Sequence, residues 1–433
     1  MTEEPLHPRE LGPNSLMRKR IGIVGFGEMG KRHGLEFREA TQGLIEIAGV
    51  VEPSDEMYSR GCEWNQVSIP RYASISEMLT GGGLDGALIT SPNHFHLENL
   101  REFEGQEIPI LLEKPLDTSL DKVAEIVRFA EGYRGAIVVD HVMRYAPIIR
   151  RARQIVAEGR LGRLASFQFT QRTSASAFHT FRRTIHGGGS QMIEKATHDL
   201  DVMLFLCGAL PKRVAMISRQ QFIGGTKSND LHCFECEERL DCRGAKIDQK
   251  ISRGVKDINI EDDLCIYAEA VDVPDNEACL IELENGVFGT YAHTYFYDIN
   301  GHSRIYELIG LEGALTLQLS AGDPAHRGIL RFHQDNKSGE AETFEYDYCG
   351  RIHYNGGPYL ARHFYDLMCD TTREAFTTVN QAFVAEALGF AAMKAAQEDR
   401  YVAVDTIIPP GLCAAYASAY PTENATPEAA GIQ

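Results

Sequence analysis

Lys114 stands between Glu113 and Pro115, Glu194 precedes His198 by four residues, and Gly25-Phe26-Gly27-Glu28-Met29-Gly30 follows the pattern G-x-G-x-x-G. Each arrangement can do chemistry. An ammonium at the end of a strand can hydrogen-bond a reacting oxygen and lower the cost of negative charge there. Residues four apart on a helix project to one side, which would set the Glu194 carboxylate beside the His198 imidazole. Imidazole titrates near neutral pH, so His198 can take a hydroxyl proton as hydride leaves the carbon. A glycine-rich turn that closes a strand and opens a helix is the fingerprint of dinucleotide binding.

The elements needed to position these groups are readable around them. From residue 20 to 140 short apolar runs alternate with amphipathic ones, the pattern of parallel strands joined by crossover helices. Strands are predicted at 20–24, 45–51, 86–90, 110–113 and 136–139. Between the last two, Leu120, Val123, Ile126, Val127 and Ala130 recur at helical spacing after a Ser119 cap. In this frame Gly25 permits the tight turn, Gly27 lets backbone approach a pyrophosphate, and Gly30 allows close helix-to-strand packing. Glu52 ends the second strand, where an acid grips the adenine ribose hydroxyls and repels a 2′-phosphate. NAD is therefore preferred over NADP, a preference that Ser54 and Arg60 nearby would soften.

Past a linking helix at 147–158 the pattern changes to longer alternating strands at 164–172, 278–283, 287–294 and 304–309. Asn285-Gly286 marks a hairpin between two of them, and a helix is expected at 380–398. The expected organisation is a flexible N-terminus (1–18), a Rossmann domain (19–146), a substrate and oligomerisation domain (147–420) with an insertion near 220–260, and a flexible tail (421–433). The fold class is α/β, with the second sheet large, open and mostly antiparallel.

The 433 residues carry 43 Lys and Arg against 61 Asp and Glu, a net charge of −18 that disfavours nucleic acid and anionic membranes. No apolar run is long enough to span a bilayer and the first twenty residues lack a secretory core, so a cytoplasmic protein with a small-molecule partner is expected. The ten cysteines are scattered except for Cys233, Cys236 and Cys242, with His232 adjacent. C-x-x-C spacing suits a tetrahedral thiolate site, but no fourth ligand is evident unless His232 or a distant residue supplies it. The expectation is reduced thiols in a lid and no metal.

Thr90-Ser91-Pro92-Asn93-His94-Phe95-His96, Glu113-Lys114-Pro115, Arg144-Tyr145-Ala146-Pro147 and the Gly187-Gly188-Gly189 triplet ahead of Glu194 and His198 together resemble the Gfo/Idh/MocA oxidoreductases. The resemblance, over about residues 19–404, implies that Lys114 hydrogen-bonds the reacting oxygen and that His198 is the base. Family members usually have Asp where this chain has Glu194 followed by Lys195. It also implies cofactor contacts from Gly25, Phe26, Gly27, Glu28, Met29, Gly30, Glu52, Ser91, Pro92, Asn93, His96, Glu113, Lys114 and Arg144, and substrate contacts from Lys114, His179, Glu194 and His198. Arg172, Arg182 and Arg183, in the segment before Gly187, would admit a carboxylated substrate. The implied activity is hydride transfer to or from a sugar, inositol or related cyclic polyol, in a homodimer or homotetramer joined through the open sheet. Some relatives cleave glycosides by transient oxidation, and one resembling repressor only senses dinucleotide; retention of Lys114 and His198 argues against the sensor.

Overall fold

The computed structural model describes residues 17–245, 263–297, 303–320, 327–334, 341–348 and 352–420. The ends expected to be flexible fall outside this set, apart from Met17 and Arg18, as does part of the insertion.

The first sheet is parallel. Its strands are β1 (Lys19–Val24), β2 (Ile45–Val51), β3 (Arg71–Tyr72), β4 (Gly86–Ile89), β5 (Ile110–Leu112) and β6 (Ile137–Val139), in the order β3-β2-β1-β4-β5-β6. Helices cover both faces, so the central strands are continuous apolar runs; Ile110, Leu111 and Leu112 are all fully buried. The strand order turns outward from β1 to β2 on one side and β4 on the other, which opens a crevice at the carboxyl ends of these strands. Helix α1 (Glu28–Ala40) starts in that crevice.

The second sheet is a nine-stranded platform. It comprises β7 (Leu164–Arg172), β8 (Pro211–Arg219), β9 (Asn276–Leu283), β10 (Phe288–Thr294), β11 (Ser303–Gly310), β12 (Gly313–Ser320), β13 (Arg327–Gln334), β14 (Glu342–Asp347) and β15 (Val402–Ala403), ordered β14-β13-β12-β11-β7-β10-β9-β8-β15. Only β7 and β10 pair in parallel. Strict alternation buries one face; along β10, Tyr291 and His293 point inward and Phe288 and Thr290 outward. The β9–β10 connection is the predicted hairpin, with Gly286 at φ +83° and Asn285 Oδ1 accepting from Val287 N–H at 3.1 Å.

Two helices late in the chain tie the sheets together. Helix α2 (Gly357–Cys369) returns to the first sheet, where Leu360, Phe364 and Leu367 share a core with Ile21, Leu88, Leu111 and Val138. Helix α3 (Val379–Glu398), buried along most of its length, packs against β8 and against the helix Leu120–Gly132 of the first domain.

Candidate active site

The glycine-rich turn has the local geometry that its residue types demand. Gly25 sits at φ +85°, and a Cβ there would strike the Ser91 backbone at 2.6 Å. A Cβ on Gly30 would lie 2.2 Å from Gly25 O, while one on Gly27 would meet nothing within 4 Å. Glu52 is buried against this turn: Oε2 accepts from Phe26 N–H at 2.7 Å and Oε1 from Ser54 N–H at 2.9 Å. Ser91, Pro92 and Asn93 form the facing loop. His96 is buried beneath it, its two ring nitrogens within 3.1 Å of Leu116 O and Ser91 O, and so braces the loop.

Lys114 leaves the carboxyl end of β5 half-buried and donates from Nζ to the backbone oxygen of Glu194 at 2.7 Å. His198 is buried, with Nδ1 unpartnered among the described residues. Burial, then the positive charge of Lys114, holds its imidazole well below the usual range. The ring is therefore neutral at working pH, the form a general base requires.

Two further imidazoles that the sequence did not single out stand beside it. The His141 and His353 ring centroids are 6.3 and 5.2 Å from that of His198. Burial lowers His141 to about 4 and His353 to about 3, and neither ring nitrogen of His141 has a hydrogen bond among the described residues. His353, Tyr354 and Asn355 all lie in the left-handed region, at φ +51°, +56° and +66°. Three such non-glycine residues in a row are strained and persist only when over-determined by their surroundings. Here Arg304 Nη1 holds Tyr354 OH at 2.8 Å, and its Nε holds Asp199 Oδ1 at 2.7 Å on the helix of His198.

Glu194 does not meet His198 as the spacing predicts. The single helix expected there is broken: Gln191–Glu194 ends at Lys195, and Thr197–Cys207 begins after it. Ala196 N–H reaches back five residues to Gln191 O at 2.9 Å, a π-type widening that rotates the next turn and removes the four-residue alignment. Glu194 Oε1 instead accepts from Arg182 Nε at 2.8 Å and lies 3.7 Å from Lys195 Nζ. Burial opposes its ionisation, but Lys114, Lys195 and Arg182 outweigh it and keep the carboxyl below its usual range. For Lys195, burial and then Lys114 pull the ammonium down to about 7, though a third of the side chain still meets solvent.

Other expected contacts lie elsewhere. Arg144 is fully buried and bonds Asp201 through Nε at 2.7 Å and Nη2 at 2.5 Å, beside Tyr420 OH and Gln381, so it is a core residue beneath His141 rather than a group facing the crevice. His179 is buried against the insertion, its nitrogens 2.8 Å from Leu264 O and Gly244 O. Arg183 donates to Cys265 O and Asn229 O, and Arg172 stacks on Tyr297; of these basic residues only Arg182 reaches the site, through Glu194. Glu113 faces inward, with Oε1 2.9 Å from His33 Nε2, which is 3.1 Å from Asp140 Oδ2. Burial disfavours charge on all three, yet the two carboxylates raise His33 well above its usual value and His33 lowers Glu113. Burial and the Glu113 charge raise Asp140. The cluster ties α1 to the Lys114 loop as an internal ion pair.

Residues 19–141 match the family described as "Oxidoreductase family, NAD-binding Rossmann fold", and residues 149–316 match the GFO/IDH/MocA C-terminal domain. The chain belongs to the GFO/IDH/MocA family. Among relatives, the rhizopine catabolism protein MocA of Rhizobium meliloti is 29% identical over 216 residues, covering 49% of this chain and 65% of that protein. An inositol 2-dehydrogenase of Corynebacterium glutamicum is 25% identical over 191 residues, covering 44% and 54%. The chain thus spans between about half and two thirds of the curated relatives it matches. The solved structure of levoglucosan dehydrogenase in complex with NADH and levoglucosan superposes with a TM-score of 0.71 at 16% identity, covering 90% of this chain and all of that one, which shows the shared fold. This chain carries the Glu194-Lys195 pair on a widened helical turn, and no helix among its described residues is long and apolar enough to cross a membrane.

Proposed function

We propose that this protein is an NAD-dependent oxidoreductase that moves hydride between the nicotinamide and a hydroxyl or keto carbon of a sugar, inositol or related cyclic polyol. The observation that carries the reading is the cluster of three neutral imidazoles, His141 and His353 on either hand of His198, each of which feels the positive charge of Lys114. Neutral rings suit hydroxyl groups, each of which both donates and accepts, and His141 and His198 carry unpartnered nitrogens among the described residues.

The chain's residues fit a dinucleotide. Open space over Gly27 at the start of α1 leaves room for a pyrophosphate at a helix N-terminus, and Glu52 lies at the end of β2 where ribose hydroxyls would reach it. When bound, the nicotinamide supplies the hydride acceptor. In the oxidative direction Lys114 hydrogen-bonds the substrate oxygen and stabilises charge on it, and His198 takes the hydroxyl proton. Glu194 fixes Lys114 through its backbone oxygen and Arg182 through its carboxylate, and so shapes the far wall of the site. The open outer face of the second sheet serves as the contact between copies.

The deciding experiment is a panel of inositols, aldoses, anhydrosugars and glycosides with NAD, read by NADH fluorescence. NADH accumulating with at least one free polyol is the expected result. Substrate turnover without net NADH would overturn a dehydrogenase.

A further inference from the structure

The insertion between β8 and β9 carries thiols that hydride transfer does not use. Cys233 to Cys236 makes one turn, Cys236 N–H donating to Cys233 O at 3.3 Å, and a second turn follows Cys242, closed by Ala245 N–H to Cys242 O at 3.0 Å. A fourth thiol arrives from the other end of the insertion. Segments 231–233 and 263–265 pair about a His232–Leu264 bridge, with Cys233 N–H donating to Asp263 O at 2.7 Å and Cys265 N–H to Leu231 O at 2.8 Å. Cys233, Cys236, Cys242 and Cys265 thereby line a single cavity. We propose that these four cysteines are the ligands of a structural zinc ion.

The ligand set is the closed, all-thiolate kind that structural zinc prefers, with the C-x-x-C turn supplying one pair. Cys265 is the distant ligand that spacing alone leaves unnamed. None of the four is in a disulfide, and Cys233 Sγ lies 3.6 Å from His179 Nδ1. Charge agrees: zinc with four thiolates is a dianion, and Arg239 lines the cavity beside it. Need agrees too. The insertion's own core, built on Ile223, Ile266, Val271 and Val273, is a small satellite, and small units of chain are commonly stapled by a metal.

Among the described residues only His33, Glu113 and Asp140 already hold three ligand atoms within 4.8 Å of one another, so the four sulfurs stand wider than a tetrahedral site with zinc–sulfur bonds of about 2.3 Å. Binding must draw the half-buried Cys236 and Cys242 onto Cys233 and Cys265, which are buried and fixed by backbone pairing. The consequence reaches the active site. Arg183 is held by Cys265 O and His179 by Leu264 O, and the adjacent Arg182 grips Glu194.

The test uses the full chain purified without chelator from zinc-supplemented culture. Elemental analysis should give about one zinc per chain, and mercurial titration should release it as about four thiols react. Exchange for cobalt(II) should produce the intense visible bands of tetrahedral thiolate coordination. Cys236→Ser combined with Cys242→Ser should abolish metal binding and lower Tm, whereas Cys413→Ser, at an exposed cysteine elsewhere, should do neither. Less than about a tenth of an equivalent of zinc with freely reactive thiols would overturn the proposal, as would a disulfide within the quartet. If the double variant does not fold, the wild-type cobalt spectrum decides, and weak octahedral bands would count against the site.

Discussion

Lys114 and His198 divide the work of oxidation between charge stabilisation and proton removal. Lys114→Ala deletes a hydrogen bond that matters most in the transition state, so turnover should fall by about 10²–10⁴-fold while NAD affinity, measured calorimetrically, changes little. His198→Ala should cost less at high pH, where hydroxide replaces the base; a pH-independent loss would remove His198 from that role. The neighbouring rings give stability a pH signature. Folded His141 and His353 stay neutral down to about 4 and 3, whereas an unfolded imidazole binds a proton near 6.5. Below about pH 6.5 these two groups therefore bind more protons in the unfolded chain, and their contribution to stability falls as pH falls toward 4, against the opposite contribution of Asp140, whose carboxyl is raised to about 7. Thermal melts across that range should show the decline, and His141→Gln should flatten it; parallel slopes for both proteins would refute the assignment. Glu194 is coupled to Arg182 rather than to His198. In a double-mutant cycle on kcat/KM, Glu194→Gln with Arg182→Ala should deviate from additivity by about 1 kcal/mol, and Glu194→Gln with His198→Ala by less than about 0.5. The reverse ordering would restore the pair that the four-residue spacing suggests.

Among the elements, α3 contributes a group that no local pattern announces. Glu386, fully buried within it, accepts from Leu116 N–H at 2.6 Å across 270 residues of sequence and so clamps the loop just past Lys114. Burial raises its carboxyl well above the ordinary range and so favours the neutral form. Glu386→Gln keeps an acceptor oxygen and should be close to wild type, whereas Glu386→Leu leaves a buried N–H unpaired and should destabilise by about 1–3 kcal/mol in denaturant unfolding. Equal effects of the two would show that the side chain only fills space. What was readable in the chain follows the same division. β1, β2, β4, β5 and β7 announced themselves because burial imposes a period on five or more residues or a run of aliphatics. β3, two residues long, has no room for a pattern. The Gly25, Gly27 and Gly30 turn was legible because backbone geometry selects the residue type locally. Glu386 and His353 were not, since only tertiary folding brings them to Lys114, and the break at Lys195 was hidden because its residues are ordinary helix formers.

At the scale of the whole molecule, the platform sheet leaves apolar side chains on its outer face. Ile217, Leu280, Phe288 and Ile309 are exposed there, on β8, β9, β10 and β11, where the register sets Ala215, Ala278, Thr290 and Ser166 beside them and Glu282 opposite Phe288. The contact between copies proposed above would cover this face. Leu280→Glu with Phe288→Glu should therefore reduce the mass seen by light scattering to that of one chain without lowering Tm by more than a few degrees. An unchanged mass would place the contact elsewhere.

The return of α2 to the first sheet has a consequence for how the chain is made. Strands β1 to β6 can pair once residue 139 has left the ribosome, but Leu360, Phe364 and Leu367, which cover Ile21, Leu88, Leu111 and Val138, are still unsynthesised. At about 5–20 residues per second the wait is on the order of tens of seconds. For that time the nascent dinucleotide domain presents an open aliphatic surface, and translation speed sets how long chaperones must shield it from neighbouring chains.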